Sequence, residues 1–165
     1  MKEVDYLALS ETVIERIKNG AFLTVKAGDA LNTMTIGWAT IGFAWGNPTL
    51  MVMVRKSRHT FTIMENAADF TVTFPLTNMQ KEINLCGTKS GRDLDKFQAA
   101  NLKIRPARKV ISPIIDTPGL HIECTIVYKA AIDPASLVKG HEKLYPRKDY
   151  HTLYFGEIQE WYKTN

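Results

Sequence analysis

Cysteine is scarce in this chain of 165 residues, and its two copies, Cys86 and Cys124, form no CxxC pair. A disulfide framework is therefore not expected, nor a cysteine-based metal site. His59, His121, His141 and His151 stand apart, with no HxH or HExxH spacing, so no metal site is expected. GxGxxG and GxxxxGK[ST] are missing, which removes two common phosphate-binding solutions. GxSxG is missing too, and no carboxylate pair has a glycosidase's distinctive spacing. No apolar run reaches the length of a membrane span. Met1 to Ser10 mixes charged and apolar residues and lacks the apolar centre of a signal peptide, so a cytoplasmic protein is expected. The formal charge of +4 is mild, and the densest basic run, Arg105-Pro106-Ala107-Arg108-Lys109, contains no aromatic. Nucleic acid is accordingly not an expected partner.

What remains is an ordinary globular composition, 45% hydrophobic and 23% charged, with 10 glycines and 7 prolines. No repeat, linker or low-complexity tract interrupts it, so residues 1–165 read as one domain. Thr12-x-x-Glu15 has the form of a capping box and Asn19-Gly20 of a stop, which predicts a helix over 12–18. Strands are expected at 22–26, across the glycine-bearing stretch 33–45, and at 50–54, 70–74, 120–130 and 150–161. Leu50 to Val54 is continuously apolar and predicts a strand buried on both faces, whereas Phe70 to Phe74 alternates with period two. Short helices are expected at 58–65, capped by Ser57, at 79–86 and at 94–100. Residues 133–148 predict a loop with a short helix. The pattern is mainly β with short helices, without the regular alternation of a doubly wound sheet.

Three polar, glycine-bearing segments adjoin apolar strands: 32–38, 55–60 and 86–93. Hydroxyls, guanidinium groups and main-chain N–H groups at strand ends suit a phosphate monoester. A flat heteroaromatic ring needs an apolar wall, which 51–54 supplies. Plainer readings stand beside these. Thr33 and Thr35 serve equally as outward-facing strand residues, Arg55, Lys56 and Arg58 as surface charge, and 87–91 as a flexible connector.

The blocks Asn32-Thr33-Met34-Thr35-Ile36-Gly37-Trp38, Trp45-Gly46-Asn47-Pro48, Val54 to Thr60, Cys86 to Phe97 and Asp149 to Ile158 resemble, in order, those of the flavin reductase-like, FMN-binding split-barrel family. The resemblance runs from about Asn32 to Ile158. It implies a six-stranded antiparallel Greek-key split β-barrel, a homodimer, and non-covalent FMN near the subunit interface. By position, Thr33 and Thr35 would meet the ring or ribityl chain, with Asn32, Met34 and Trp38 beside them. Val52, Met53, Val54 and Arg55 would border the ring. Ser57 and Thr60, helped by Arg55 or Arg58 and next to His59, would hold the phosphate. Cys86, Gly87, Lys89, Ser90 and Gly91 would close one side. Lys56 and His59 depart from the family pattern, where proline and an aromatic are usual.

In such a protein the cofactor carries the redox chemistry and the polypeptide positions it. The resemblance implies an FMN-dependent oxidoreductase with NAD(P)H as a possible donor. Two alternatives remain open: a flavoredoxin-type electron carrier serving a redox protein partner, and a ligand-binding barrel without flavin. His151, Cys86 and Lys89 are candidates to face a substrate. His151 reads equally as a structural histidine, and Cys86 as a small packed side chain.

Overall fold

In the computed structural model, residues 6–165 are described; the N-terminal reading over Met1 to Asp5 lies outside them. Helix α1 (Tyr6–Ile17) leads into strands β1 (Ala21–Ala27), β2 (Ala30–Ile36), β3 (Ala39–Ala44) and β4 (Asn47–Arg55). Then come α2 (His59–Met64), β5 (Asp69–Pro75), α3 (Gln80–Thr88) and α4 (Lys96–Ala99). A small ribbon, β6 (Ile104–Arg105) and β7 (Ile114–Ile115), precedes the long strands β8 (Gly119–Ala131) and β9 (His151–Thr164). The main sheet is antiparallel, in the order β2-β1-β5-β8-β9-β4-β3.

That order forces the sheet to curl, although no ladder of hydrogen bonds joins its two edges. β2 and β3 are the opposite edges of the sheet, yet only Gly37 and Trp38 join them. Three peptide steps span no more than about 11 Å. Seven strands laid flat would be about 29 Å wide at roughly 4.8 Å per pair. The sheet must therefore curl until its edges meet. β2 and β3 act as one segment, paired to β1 in its first half and to β4 in its second. Counted so, the barrel has the six strands the resemblance implies, split where that segment changes partners. β8 carries register shifts at Glu123/Cys124 and Ile126/Tyr128 opposite β9. Such bulges bend long strands around a barrel. Gly156 sits at the tightest point, where a Cβ would lie 2.6 Å from both the Cys124 Cβ and the Phe70 ring.

Phe70, Val72, Phe74, Leu50, Val52, Val54, Ile122 and Tyr154 fill the interior, together with Leu9 and Val13 of α1. Two strands exchange the burial expected of them. β4 alternates: Leu50, Val52 and Val54 are buried, while Met51 and Met53 are only half-buried on the outer face. β5 is buried on both faces, because 112–114 and His121 cover its threonines. There Thr71 donates to the Pro113 carbonyl at 2.6 Å, and the Asp69 carboxylate accepts from the Ile111 and Ser112 amides.

The helices also differ in detail. α1 already includes Tyr6, and the Thr12 hydroxyl donates back to the Ala8 carbonyl rather than capping. α2 starts at His59 with no side-chain cap, since the Ser57 hydroxyl donates to Asp149 at 2.5 Å. α3 runs through Thr88, so Cys86 and Gly87 are helical rather than loop. Residues 134–136 and 141–144 form two single 3-10 turns. No helix among the described residues is long and apolar enough to cross a membrane.

His121 is fully buried between the hydroxyls of Thr73 (3.1 Å) and Thr164 (2.9 Å). Burial, reinforced by Arg105, lowers its pKa to about 4. Below the ordinary value near 6.5 the unfolded chain binds a proton that the folded chain does not, so stability falls from about pH 6.5 down to about 4. Thermal melts from pH 7 to 4.5 should show this decline, and it should be shallower in His121→Gln. Equal slopes would remove His121 from the account.

Candidate functional site

Two clefts open on the outside of the barrel, beside the split. The first, of about 200 Å³, is lined by the end of β2 (Met34, Thr35, Ile36), by Gly37 and Trp38, and by Met53, Arg55, Arg58 and His151. Apolar and aromatic side chains line it together with Thr35 and two arginines; the Trp38 ring lies 5.2 Å from the His151 ring. The second, of about 150 Å³, is lined by Ser57, Arg58, His59, Thr60, Thr88, Lys89, Ser90, Gly91 and Lys96. Arg58 belongs to both. Neither cleft alone reaches the roughly 300 Å³ at which ligand sites begin; together they do.

The second cleft gathers cationic groups whose chemistry suits an anion. Lys96 is only 3% exposed, and its ammonium donates to the Cys86 carbonyl at 2.8 Å. None of the ion pairs among the described residues includes Lys96. Burial, together with Arg58, pulls its pKa down. A buried cation without a carboxylate is costly unless a ligand supplies the negative charge. Arg58 is fixed by donating to the Gly87 carbonyl at 2.7 Å, and Arg92 by donating to the Ser57 carbonyl at 2.9 Å. His59 is held toward neutrality by burial, then by Arg92 and Lys96. Lys96 was not singled out in the sequence, because a lysine in a short helical turn carries no local sign of burial.

The first cleft suits a flat ring. Thr35 donates its hydroxyl to the Ile83 carbonyl at 2.5 Å, which ties β2 to α3. Arg55 ties β4 to the segment before β9, donating to the Asp149 carbonyl at 3.0 Å and the Leu144 carbonyl at 3.3 Å. Its guanidinium lies 5.1 Å from the centre of the Tyr145 ring. Burial, and secondarily Arg55, lowers the pKa of His151 to about 4, so this imidazole is neutral at pH 7.

The expected site residues divide accordingly. Met34, Thr35, Trp38, Met53, Arg55 and His151 meet at the first cleft, and Ser57, His59, Thr60, Lys89, Ser90 and Gly91 at the second, with Arg58 between. Corrections follow for others. The Met34, Val52 and Val54 side chains are buried in the core, and Val52 and Val54 line neither cleft. Thr33 is buried against Thr24, and Asn32 donates to Thr60 at 2.8 Å. Arg55 lines the ring cleft and not the anion cleft. Cys86 is fully buried in a second cluster with Phe22, Ile83 and Leu102. Burial pushes its thiol up to about 11, so it is neither a thiolate nor open to a substrate. Lys89 stands at the anion cleft, away from the ring cleft.

A family model described as "Flavin reductase like domain" matches residues 17–164. An uncharacterized protein of Archaeoglobus fulgidus is 25% identical over 83% of this chain and 68% of its own length. Among solved structures, flavoredoxin of Desulfovibrio vulgaris superposes with a TM-score of 0.70 at 22% identity, covering 88% of this chain and 69% of that one. An NADH:FAD oxidoreductase of Streptomyces globisporus does so with a TM-score of 0.66 at 16% identity, covering 99% and 86%. The chain thus spans about two thirds of the length of the archaeal relative and the flavoredoxin.

Gly91 marks how closely the anion cleft is built. A Cβ there would lie 2.6 Å from the Asn32 Oδ1 and 2.9 Å from the His59 ring. Gly91→Ala should therefore destabilise the fold by about 1–3 kcal/mol, as overpacking does. An unchanged chemical denaturation midpoint would contradict this packing.

Proposed function

This chain belongs to the flavin reductase-like family, and from that premise we propose that it binds FMN non-covalently across the two clefts and passes electrons from NAD(P)H through it. The observation that carries the reading is Lys96, a buried ammonium without a carboxylate, opening on a cleft joined through Arg58 to an aromatic one. The residues fit the group. Lys96, Arg58, Ser90 and the backbone at Gly91 would hold the phosphate, with Ser57 and Lys89 at the rim. Trp38, Met53, Thr35 and His151 would border the ring. When bound, the flavin supplies the hydride and electron chemistry. The chain orients it, neutralises its phosphate and keeps water from one face.

Lys96→Met tests this. Loss of a charge-assisted contact removes roughly 1.5–3 kcal/mol of binding, about a ten- to hundredfold change. Fluorescence titration of the FMN-free variant should show that loss while the fold is retained. FMN affinity equal to wild type would sink the phosphate assignment. The flavoredoxin-like fold supports a second reading, electron carriage without NAD(P)H oxidation. Anaerobic bleaching of the bound flavin by NADH or NADPH separates the two.

A homodimer completes the proposal. Trp45, Tyr128 and Phe155 form an aromatic cluster with ring centres 5.6–5.8 Å apart. Phe43 (74% exposed) and Val127 are exposed on neighbouring strands, and Met51, paired with Phe155, and Met53 continue the apolar face toward the ring cleft. An exposed apolar surface of this kind marks an interface. A second copy packed there would cover the ring cleft. Trp45→Glu should convert a dimer to a monomer in light scattering and lower FMN occupancy. A wild-type monomer with full FMN occupancy would refute the interface.

A further inference from the structure

Tyr145 lies between β8 and β9, in the segment whose sequence predicts a loop with a short helix, yet it is only 5% exposed. Its hydroxyl is 2.8 Å from Nδ1 of His151, with the two rings edge to face. We propose that Tyr145 is a positioning residue: its phenol donates to Nδ1 and fixes the His151 tautomer whose Nε2–H faces the ring cleft, as a donor to a carbonyl oxygen of the molecule bound there. The inference rests on the ring cleft holding the flavin.

The direction of the hydrogen bond follows from counting donors. A phenol has one proton, and Nδ1 is the one hydrogen-bond partner recorded for this hydroxyl among the described residues. If Nδ1–H donated instead, the phenolic proton would be left without a protein acceptor among the described residues, which is unfavourable in a side chain only 5% exposed. With Tyr145 donating, Nδ1 is the acceptor and the proton of the neutral ring sits on Nε2. No protein partner is recorded for Nε2, and no side-chain nitrogen or oxygen sealed among the described residues lacks one. Nε2 is therefore accessible, and the surface His151 presents lines the ring cleft.

The surroundings hold the ring neutral and in place. Burial acts first, then Arg55 from β4 and Arg58 before α2, with Asp149 opposing them. The Trp38 ring also lies tilted against His151, 5.2 Å away. Arg55 fixes Tyr145 in turn, with its guanidinium near the phenol ring and its donors on the carbonyls of Leu144 and Asp149. The cleft is thus given a neutral donor that does not titrate near pH 7. A carbonyl of the flavin ring and the carboxamide of a nicotinamide both offer the acceptor. Adding FMN alone, then a redox-inert nicotinamide nucleotide, tells which one shifts the Nε2 resonance.

Long-range nitrogen–proton correlation spectra of the full chain, with and without FMN, read the tautomer directly. Wild type should show a bare Nδ1 and a protonated Nε2 on His151 at pH 7. Tyr145→Phe should show a mixture of tautomers and a higher His151 pKa. FMN affinity should stay within about twofold, and flavin reduction by NAD(P)H should slow about tenfold. A protonated Nδ1 in wild type overturns the proposal, and wild type alone decides this if the variant fails to fold. A Tyr145→Phe protein that keeps a pure Nε2–H tautomer, or mixes tautomers without slowing, also overturns it. Lost FMN binding in wild type would instead fault the functional reading beneath it.

Discussion

Everything at the site depends on one constraint: two residues, Gly37 and Trp38, connect opposite edges of a seven-stranded sheet. Too short to cross a flat sheet, the link obliges it to curl. At the same point the segment changes its hydrogen-bond partner from β1 to β4, so β2 and β4 adjoin without pairing. The ring cleft lies between them. Its floor and walls are Thr35, Met53 and His151, and Trp38 stands in the connection itself. The curling of the sheet and the creation of the cleft share one cause.

The barrel interior is already filled by Phe70, Phe74, Leu50, Tyr154 and their neighbours, as barrels of this size generally are. A flat cofactor is therefore left the outer surface, where α2, α3 and α4 supply polar groups. α4 brings Lys96 under the Cys86 carbonyl, and the turn before α2 brings Arg58 across to Gly87. Positive charge is gathered at one end and aromatic surface at the other. The buried Lys96 is unfavourable in the bare protein and would be favourable against a phosphate dianion, so the proposed site is preorganised at a cost in stability.

The sequence made the mainly β pattern legible, since β-branched and aromatic runs between glycine and proline turns mark strands with little ambiguity. It also made the three polar segments legible, and they do converge on the two clefts. The inside and outside of β4 were not legible: Leu50 to Val54 is apolar on both faces, because Met51 and Met53 belong to an exposed apolar surface. β5 misled in the opposite way, its threonines being covered by a distant segment at 112–114. Lys96 and Tyr145 escaped notice for the same reason. Their roles come from burial and from partners far off in the chain, and no local spacing encodes either. Cys86 gained notice from the glycine and lysine beside it, yet packing of α3 against β1 seals it.

FMN and riboflavin differ only in the phosphate, so their relative affinity tests the two-cleft account most directly. Calorimetric titration of the flavin-free protein with each should show FMN binding at least about a hundredfold tighter, the weight of two charge-assisted contacts. Equal affinities would contradict the account, for they would mean that Lys96 and Arg58 do not face the end of the flavin that carries the charge.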